Sequence, residues 1–258
     1  ANPAKAFGVK NELLNSQHPQ ELESGRVFDA LLAGWQEVEL TGSDLAHILE
    51  EIHNLQTTPV AGSTLYGICD FLEHQVRGPK SNLADADLDA MCEIASVAWE
   101  PAATEPSMVS GPGDLAHSLN SSAGKLASFW VGVASVESRL ATGGDEKFLS
   151  TSFQSALERM LNGCDVGGEL ARATLFVDLR YLTYLDEEWS TRNLLSALDG
   201  TALAPLAAWT GFLTRGTWDH RLVRLGLLDR MLDVSKLLDL YPDETQRRAA
   251  KMFAEIAL

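Results

Sequence analysis

The stretch 173-ATLFVDLRYLTYL-185 decides the fold class of this 258-residue chain. Thr174, Phe176, Val177, Tyr181, Thr183 and Tyr184 are β-branched or aromatic, a composition that fits a strand. A strand alone leaves its backbone donors and acceptors unpaired, and this sequence offers it nothing to pair with. The helical reading is therefore preferred, within a helix over roughly 167–184.

The sequence on either side has the same character. Helical patterns cover about 187–198, 203–214 and 244–258 downstream, and about 23–38, 64–77 and 84–99 upstream. Ser43 is placed to cap a helix with an apolar face of Leu45, Ile48, Leu49, Ile52 and Leu55, and with Glu50, Glu51 and Asn54 opposite. Phe148, Leu149, Phe153, Ala156, Leu157 and Met160 form a second stripe. Leu222, Leu225, Leu228 and Leu232 form a third, widened by Met231, Val234 and Leu238. Short breaks fall at Gly78-Pro79, Gly143-Gly144, Gly167-Gly168, Asp199-Gly200 and Pro242-Asp243.

The long irregular run is 100-EPAATEPSMVSGPG-113. It is read as a Pro-rich loop or linker over 101–113, between an N-terminal helical subdomain at 1–100 and a C-terminal one at 114–258. No period of about 34 or 40 residues is visible, so regular helical repeats are not indicated. The expected fold is all-α, an irregular α-solenoid or a multi-helix bundle of about ten or more helices.

Thirty-six acidic residues against 20 basic ones give a net charge of −16. The excess is uneven: residues 1–110 hold 17 acidic and 5 basic side chains, the rest 19 and 15. A field of that sign repels phosphate backbones, so nucleic acid is not an expected partner. No run of about 18 apolar residues occurs, and no membrane span is expected. Cys69, Cys92 and Cys164 are far apart, without a C-x-x-C pair, which points to reduced core thiols, a cytoplasmic setting and no zinc site. The chain opens Ala1-Asn2-Pro3 and stops at Ile256-Ala257-Leu258 inside an apolar pattern, so a region of a longer protein is expected.

Chemistry comes nearest in 119-LNSSAGKLASFW-130. A phosphate-binding loop needs G-x-x-x-x-G-K and then Ser or Thr, the glycines admitting backbone N–H groups to the phosphates and the hydroxyl holding Mg²⁺. Here Leu119 stands where the first glycine belongs and Leu126 where the hydroxyl belongs. The helical alternative uses every residue: Ser121 or Ser122 as cap, Leu126, Phe129, Trp130, Val133 and Leu140 as buried face, and Gly124 for the close approach of a neighbour. The stretch is a helix start.

Other constellations are weaker. Glu50-x-x-His53 has the spacing of a di-iron ligand pair, but lacks the second pair and further glutamates such a site needs, and Glu50 and Glu51 face away from the apolar stripe. No nucleophile triad shows local spacing. Arg215, Arg221, Arg224 and Arg230 are interleaved with Asp219, Asp229 and Asp233, either as a salt-bridged surface or as a groove for an anionic partner. Neither a metal nor a cofactor is expected.

Three stretches taken in order, 119-LNSSAGKLASFW-130, 182-LTYLDEEWSTRNLLSALD-199 and 207-AAWTGFLTRG-216, resemble the helical C-terminal region of large prokaryotic proteins. Such proteins often carry an N-terminal sirtuin-like NAD-binding domain, and several act in anti-phage defence. Asn120, Gly124, Lys125 and Trp130 match the first motif. Asp186, Trp189, Asn193, Leu194 and Leu195 match the second, and Ala208, Trp209, Gly211, Phe212 and Leu213 the third. The resemblance covers about residues 115 to 240. It departs at Ser196-Ala197-Leu198, where the family often has a proline and a second aromatic. It implies a non-catalytic scaffold or sensor whose partner is another protein or other domains of the same chain, with catalysis in a domain outside this chain. A stand-alone helical enzyme or small-ligand binder, and an oligomerisation module, are the alternatives. Within the family the tryptophans and glycines are expected to pack helices.

Overall fold

The computed structural model describes residues 24–36, 40, 42–56, 62–77, 83–105, 114–140, 149–199 and 203–257. All regular structure in them is helical, and the chain separates into two units, Ala1–Glu105 and Pro106–Leu258.

In the first unit α1 (Ser24–Gln36) packs on α3 (Gly62–Arg77), and α2 (Gly42–Gln56) on α4 (Asp85–Thr104), while α3 and α4 also meet. Helix α2 starts at Gly42, so Ser43 lies in its first turn and is not its cap. Its stripe is as read: Leu45, Ile48, Leu49 and Ile52 are buried, and Glu50 and Asn54 are exposed. Trp35, Phe71, Met91 and Trp99 complete a core drawn from all of α1–α4 except the faces turned to water. Gln36 Nε2 donates to Asp70 Oδ2 across 2.9 Å, tying the end of α1 to α3.

The sequence boundary at residue 100 needs correction. Helix α4 runs through Pro101 to Thr104, and Ala102 and Ala103 are buried on its inner face. A proline inside a helix removes the bond to the carbonyl four residues back, here that of Val97. Val97 is 48% exposed and Pro101 is exposed too, so the loss falls on the water-facing side, where solvent can serve the carbonyl.

The second unit is built around one short helix. Helices α5 (Leu115–Leu119), α6 (Ser122–Leu140), α7 (Thr151–Asn162) and α11 (Leu203–Arg215) all pack against α8 (Val166–Leu175). In α8 every residue from Leu170 to Leu175 is buried, as are Gly167 and Gly168. The expected break at Gly167-Gly168 is thus inside the first turn of α8, and the turn lies earlier, at Gly163–Asp165, where Asp165 caps the helix. A helix surrounded by others contacts elements distant in sequence, whereas a solenoid repeat meets only its neighbours. Of the two anticipated architectures, this unit takes the multi-helix bundle.

The deciding stretch is helical throughout. Helix α8 passes through a 3-10 turn at Phe176–Asp178 into α9 (Leu179–Leu185), and α10 (Glu187–Ser190) follows. The chain then passes through a π turn at Thr191–Leu195 and a 3-10 turn at Ser196–Leu198. Burial all round Ala173–Phe176 removes the polar face that normally marks a surface helix, while Arg180 and Tyr184 later in the stretch are exposed.

The C-terminal leucine stripe is read differently by the structure. Helix α12 (His220–Arg224) ends before Gly226, whose φ of 89° lies in the left-handed region, and α13 (Leu227–Val234) restarts on a new phase. Leu222, Leu227, Met231 and Val234 are buried, whereas Leu232 is 53% exposed. A 3-10 segment, Ser235–Leu240, leads to α14 (Asp243–Ala257), which packs on α11 and α13. None of the described helices is long and apolar enough to cross a membrane. Phe148, Pro106, Pro112 and the breaks at Gly78-Pro79, Gly143-Gly144 and Gly200 lie outside the described residues, as do the side chains of Leu55 and Leu140.

Candidate functional site

The first and third resembling stretches pack against α8, and the second joins α10 to α7. Ser121 caps α6, its Oγ accepting the Gly124 amide at 3.0 Å. A Cβ on Gly124 would lie 1.8 Å from the carbonyl oxygen of Ser118 and 3.0 Å from Thr174 Oγ1 of α8, so only glycine fits there. Asn120 closes α5, donating from Nδ2 to the Ala116 carbonyl at 2.8 Å. Lys125 is half-buried one residue past Gly124. Trp130 is buried, meeting Phe129 edge-on at 5.4 Å and Phe153 of α7 at 6.2 Å.

The second stretch ties α10 to α7. Asp186 caps α10, accepting the Trp189 amide at 2.8 Å on one oxygen and Gln154 Nε2 at 3.2 Å on the other. Trp189 is buried and donates its indole N–H to Glu158 at 2.9 Å. Asn193 Nδ2 donates back to the Trp189 carbonyl at 3.1 Å, and Leu194 and Leu195 are in the core.

The third stretch is α11. Trp209 is buried, its indole N–H donating to the Leu198 carbonyl at 3.2 Å, and its ring meets Phe212 edge-on at 5.9 Å. A Cβ on Gly211 would stand 1.8 Å from the Ala173 carbonyl oxygen of α8. Ala208, Phe212 and Leu213 are buried around it. Caps, close approaches and indole hydrogen bonds thus use the polar groups of these stretches inside the fold.

Other expected sites also find a place. Glu50 and His53 are exposed and Glu51 is half-buried; among the described residues no three His, Cys, Asp or Glu side chains are placed to hold a metal. The thiols are only partly as expected: Cys69 is buried, Cys92 half-buried and Cys164 exposed. Burial, reinforced by the nearby charges of Glu105 and Asp70, pushes the Cys69 thiol well above its ordinary range. Arg172 on α8 is a buried cation whose Nη1 donates to the carbonyls of Leu161 and Gly163, at 2.9 and 2.6 Å, at the C-terminal end of α7. Burial lowers its pKa, opposed by Glu169, Cys164 and Asp165.

Arg221, Arg224 and Arg230 are paired, but not with the interleaved aspartates. Arg221 and Arg224 both reach Glu187 of α10, at 3.5 and 3.4 Å, and Arg221 lies over the Tyr184 ring. Arg230 grips Asp199 through two contacts of 2.7 and 3.3 Å, and also donates to the Leu225 and Gly226 carbonyls. Asp219 caps α12, accepting the Leu222 amide. Arg215 is exposed at the end of α11.

The open cationic surface is elsewhere. A groove of about 610 Å³ lies between α14 and the segment after α11, lined by Arg180, Gly216, Thr217, Trp218, Arg247, Arg248, Lys251, Met252 and Glu255. Positions 247, 248, 251, 252 and 255 share one face of α14. Arg248 fixes the opposite wall, donating to the Leu213 carbonyl at 3.3 Å and to that of Gly216. Glu255 accepts from Trp218 Nε1 at 3.4 Å and lies 3.7 Å from Lys251. Among the described residues Arg180 and Arg247 have no carboxylate partner; Arg247 donates only to the Asp243 carbonyl, at 3.2 Å. The available sequence signal was 247-RRAAK-251, three cations on one helical face of an acidic chain. Arg180 and Trp218 join it only through the tertiary fold.

No family model, no curated protein and no solved structure matches this chain.

Proposed function

We propose that this chain is a non-catalytic helical scaffold or sensor region of a larger effector protein, making regulatory contacts with a protein partner or with other domains of its own chain. One observation carries the reading. Asn120, Gly124, Asp186, Trp189, Asn193, Trp209 and Gly211 are engaged in caps, hydrogen bonds and close helix packing, Gly124 and Gly211 against α8 and Asp186 and Trp189 against α7. Residues so engaged serve a framework and leave its surface to present contacts. The resemblance to C-terminal regions that accompany sirtuin-like domains extends the proposal to NAD-consuming defence proteins of prokaryotes, acting in the cytoplasm. On that reading the chain needs no cofactor, and neither nucleic acid nor membrane is its partner.

The test has two parts. Purified chain incubated with NAD should release no nicotinamide, and release above a heat-denatured control would overturn the non-catalytic reading. The complete open reading frame should encode an NAD-binding domain upstream; a frame without one would contradict the link to NAD consumption. A second reading, a small-ligand binder, is favoured by the groove beside α14.

A further inference from the structure

We infer that the groove beside α14 binds a small organic phosphate, its phosphoryl group held by Arg180, Arg247 and Lys251 and its apolar body resting against Trp218 and Met252. This deepens the sensor reading and rests on it for the consequence of binding, while binding itself is measured separately.

The argument starts from charge. Acidic residues outnumber basic ones 36 to 20, so an arginine in this chain meets carboxylates readily. Arg192, Arg221, Arg224, Arg230 and Lys236 all have an acidic partner. The groove runs against that trend: four cations and one carboxylate line it, and of the cations only Lys251 has a carboxylate partner among the described residues. Bringing like charges together is unfavourable, by an amount that an anion of two charges offsets.

Chemistry narrows the class. Arg180 and Arg247 offer planar forks with donors to spare, the geometry that suits phosphoryl oxygens, and Lys251 adds a point charge. Arg248 takes the structural role, holding the Gly216 wall by its carbonyls. A volume of about 610 Å³ is that of a small-molecule site. Trp218 and Met252 give the groove an apolar wall, so a ligand with an organic body gains over the bare ion. Glu255 opposes the ligand and competes for Lys251, 3.7 Å away. Its neutralisation should therefore tighten binding, by removing a repelling charge and freeing Lys251 for the ligand.

The experiment is calorimetric titration of the chain with inorganic phosphate, ribose 5-phosphate and adenosine monophosphate, together with unphosphorylated adenosine. Saturable binding is expected for both organic phosphates and none for adenosine. Their rank reports whether an aromatic ring adds to the body, and inorganic phosphate should bind more weakly than either. Arg180→Gln with Arg247→Gln should weaken binding about 10-fold or more, with an unchanged thermal midpoint of the free protein because both side chains are exposed. Glu255→Gln should strengthen it. The inference is overturned by absence of saturable binding, by affinity retained in the double variant, by weaker binding in Glu255→Gln, or by a preference for an acidic peptide or an oligonucleotide over all three phosphates. Phosphate binding that leaves NAD-dependent activity of the full-length protein unchanged would count against the sensor reading alone.

Discussion

Single residues in the second unit show why glycine and tryptophan recur in the resembling stretches. At Gly211 any side chain would intrude on the Ala173 carbonyl of α8, while Trp209 two positions earlier fills the space toward Leu198. Gly34 of α1 is the opposite case, an exposed helical glycine with open space where a Cβ would stand. Gly34→Ala should therefore stabilise the protein by about 0.5–1 kcal/mol, the gain in helix propensity. Gly211→Ala should destabilise it by about 1–3 kcal/mol or more through overpacking, and Trp209→Ala by about 3–5 kcal/mol. Urea unfolding of the three variants checks both signs. A Trp209→Ala protein with unchanged stability and a lost partner interaction would make that cluster a binding surface. The sequence placed Trp130, Trp189 and Trp209 correctly, since each sits within an apolar helical pattern. It could not identify the neighbours of Gly124 and Gly211, because Ser118 and Ala173 contribute backbone oxygens that any residue would carry.

Elements were legible where one face is polar and obscure where none is. The stripes of α2 and α7 could be read from spacing alone, and Ser150 caps α7 with Phe153, Ala156, Leu157 and Met160 inward. The α12–α13 stripe misleads because Gly226 resets the helical phase, moving Leu232 outward and Leu227 inward. The groove was largely hidden for a similar reason: its cations come from α9 and α14, distant in sequence, and only the tertiary fold joins them. Element junctions also carry a pH dependence. Tyr241, between the 3-10 segment and α14, is buried with its hydroxyl donating to the Leu206 carbonyl of α11 at 3.3 Å, and burial raises its pKa above the ordinary value. Cys69 in α3 is raised for the same reason. For both groups the unfolded chain loses its proton at lower pH than the folded one. Their stabilisation is full below the unfolded values, about 8.5 for the thiol and 10 for the phenol, and is lost as pH rises beyond them. Unfolding free energy should fall above about pH 9, less steeply in Tyr241→Phe than in the parent protein. An equal fall in both would remove Tyr241 from the explanation.

At the scale of the whole molecule, each unit is a helical bundle, and in the second the first and third resembling stretches pack on α8. A framework of that kind should unfold last at its centre. The amides of α8 are covered by α5, α6, α7 and α11, whereas the 3-10 segment Ser235–Leu240 has no buried residue. Opening of such an exposed segment disturbs few apolar contacts, so its amides exchange without global unfolding. Native-state hydrogen exchange tests this most directly. We expect the amides of Leu170–Leu175 to exchange only through global unfolding of their unit, with a protection free energy that falls in Trp209→Ala by the same amount as the unfolding free energy. Exchange of Leu170–Leu175 as fast as that of Ser235–Leu240, or protection there untouched by Trp209→Ala, would contradict the assignment of the first and third stretches to packing around α8.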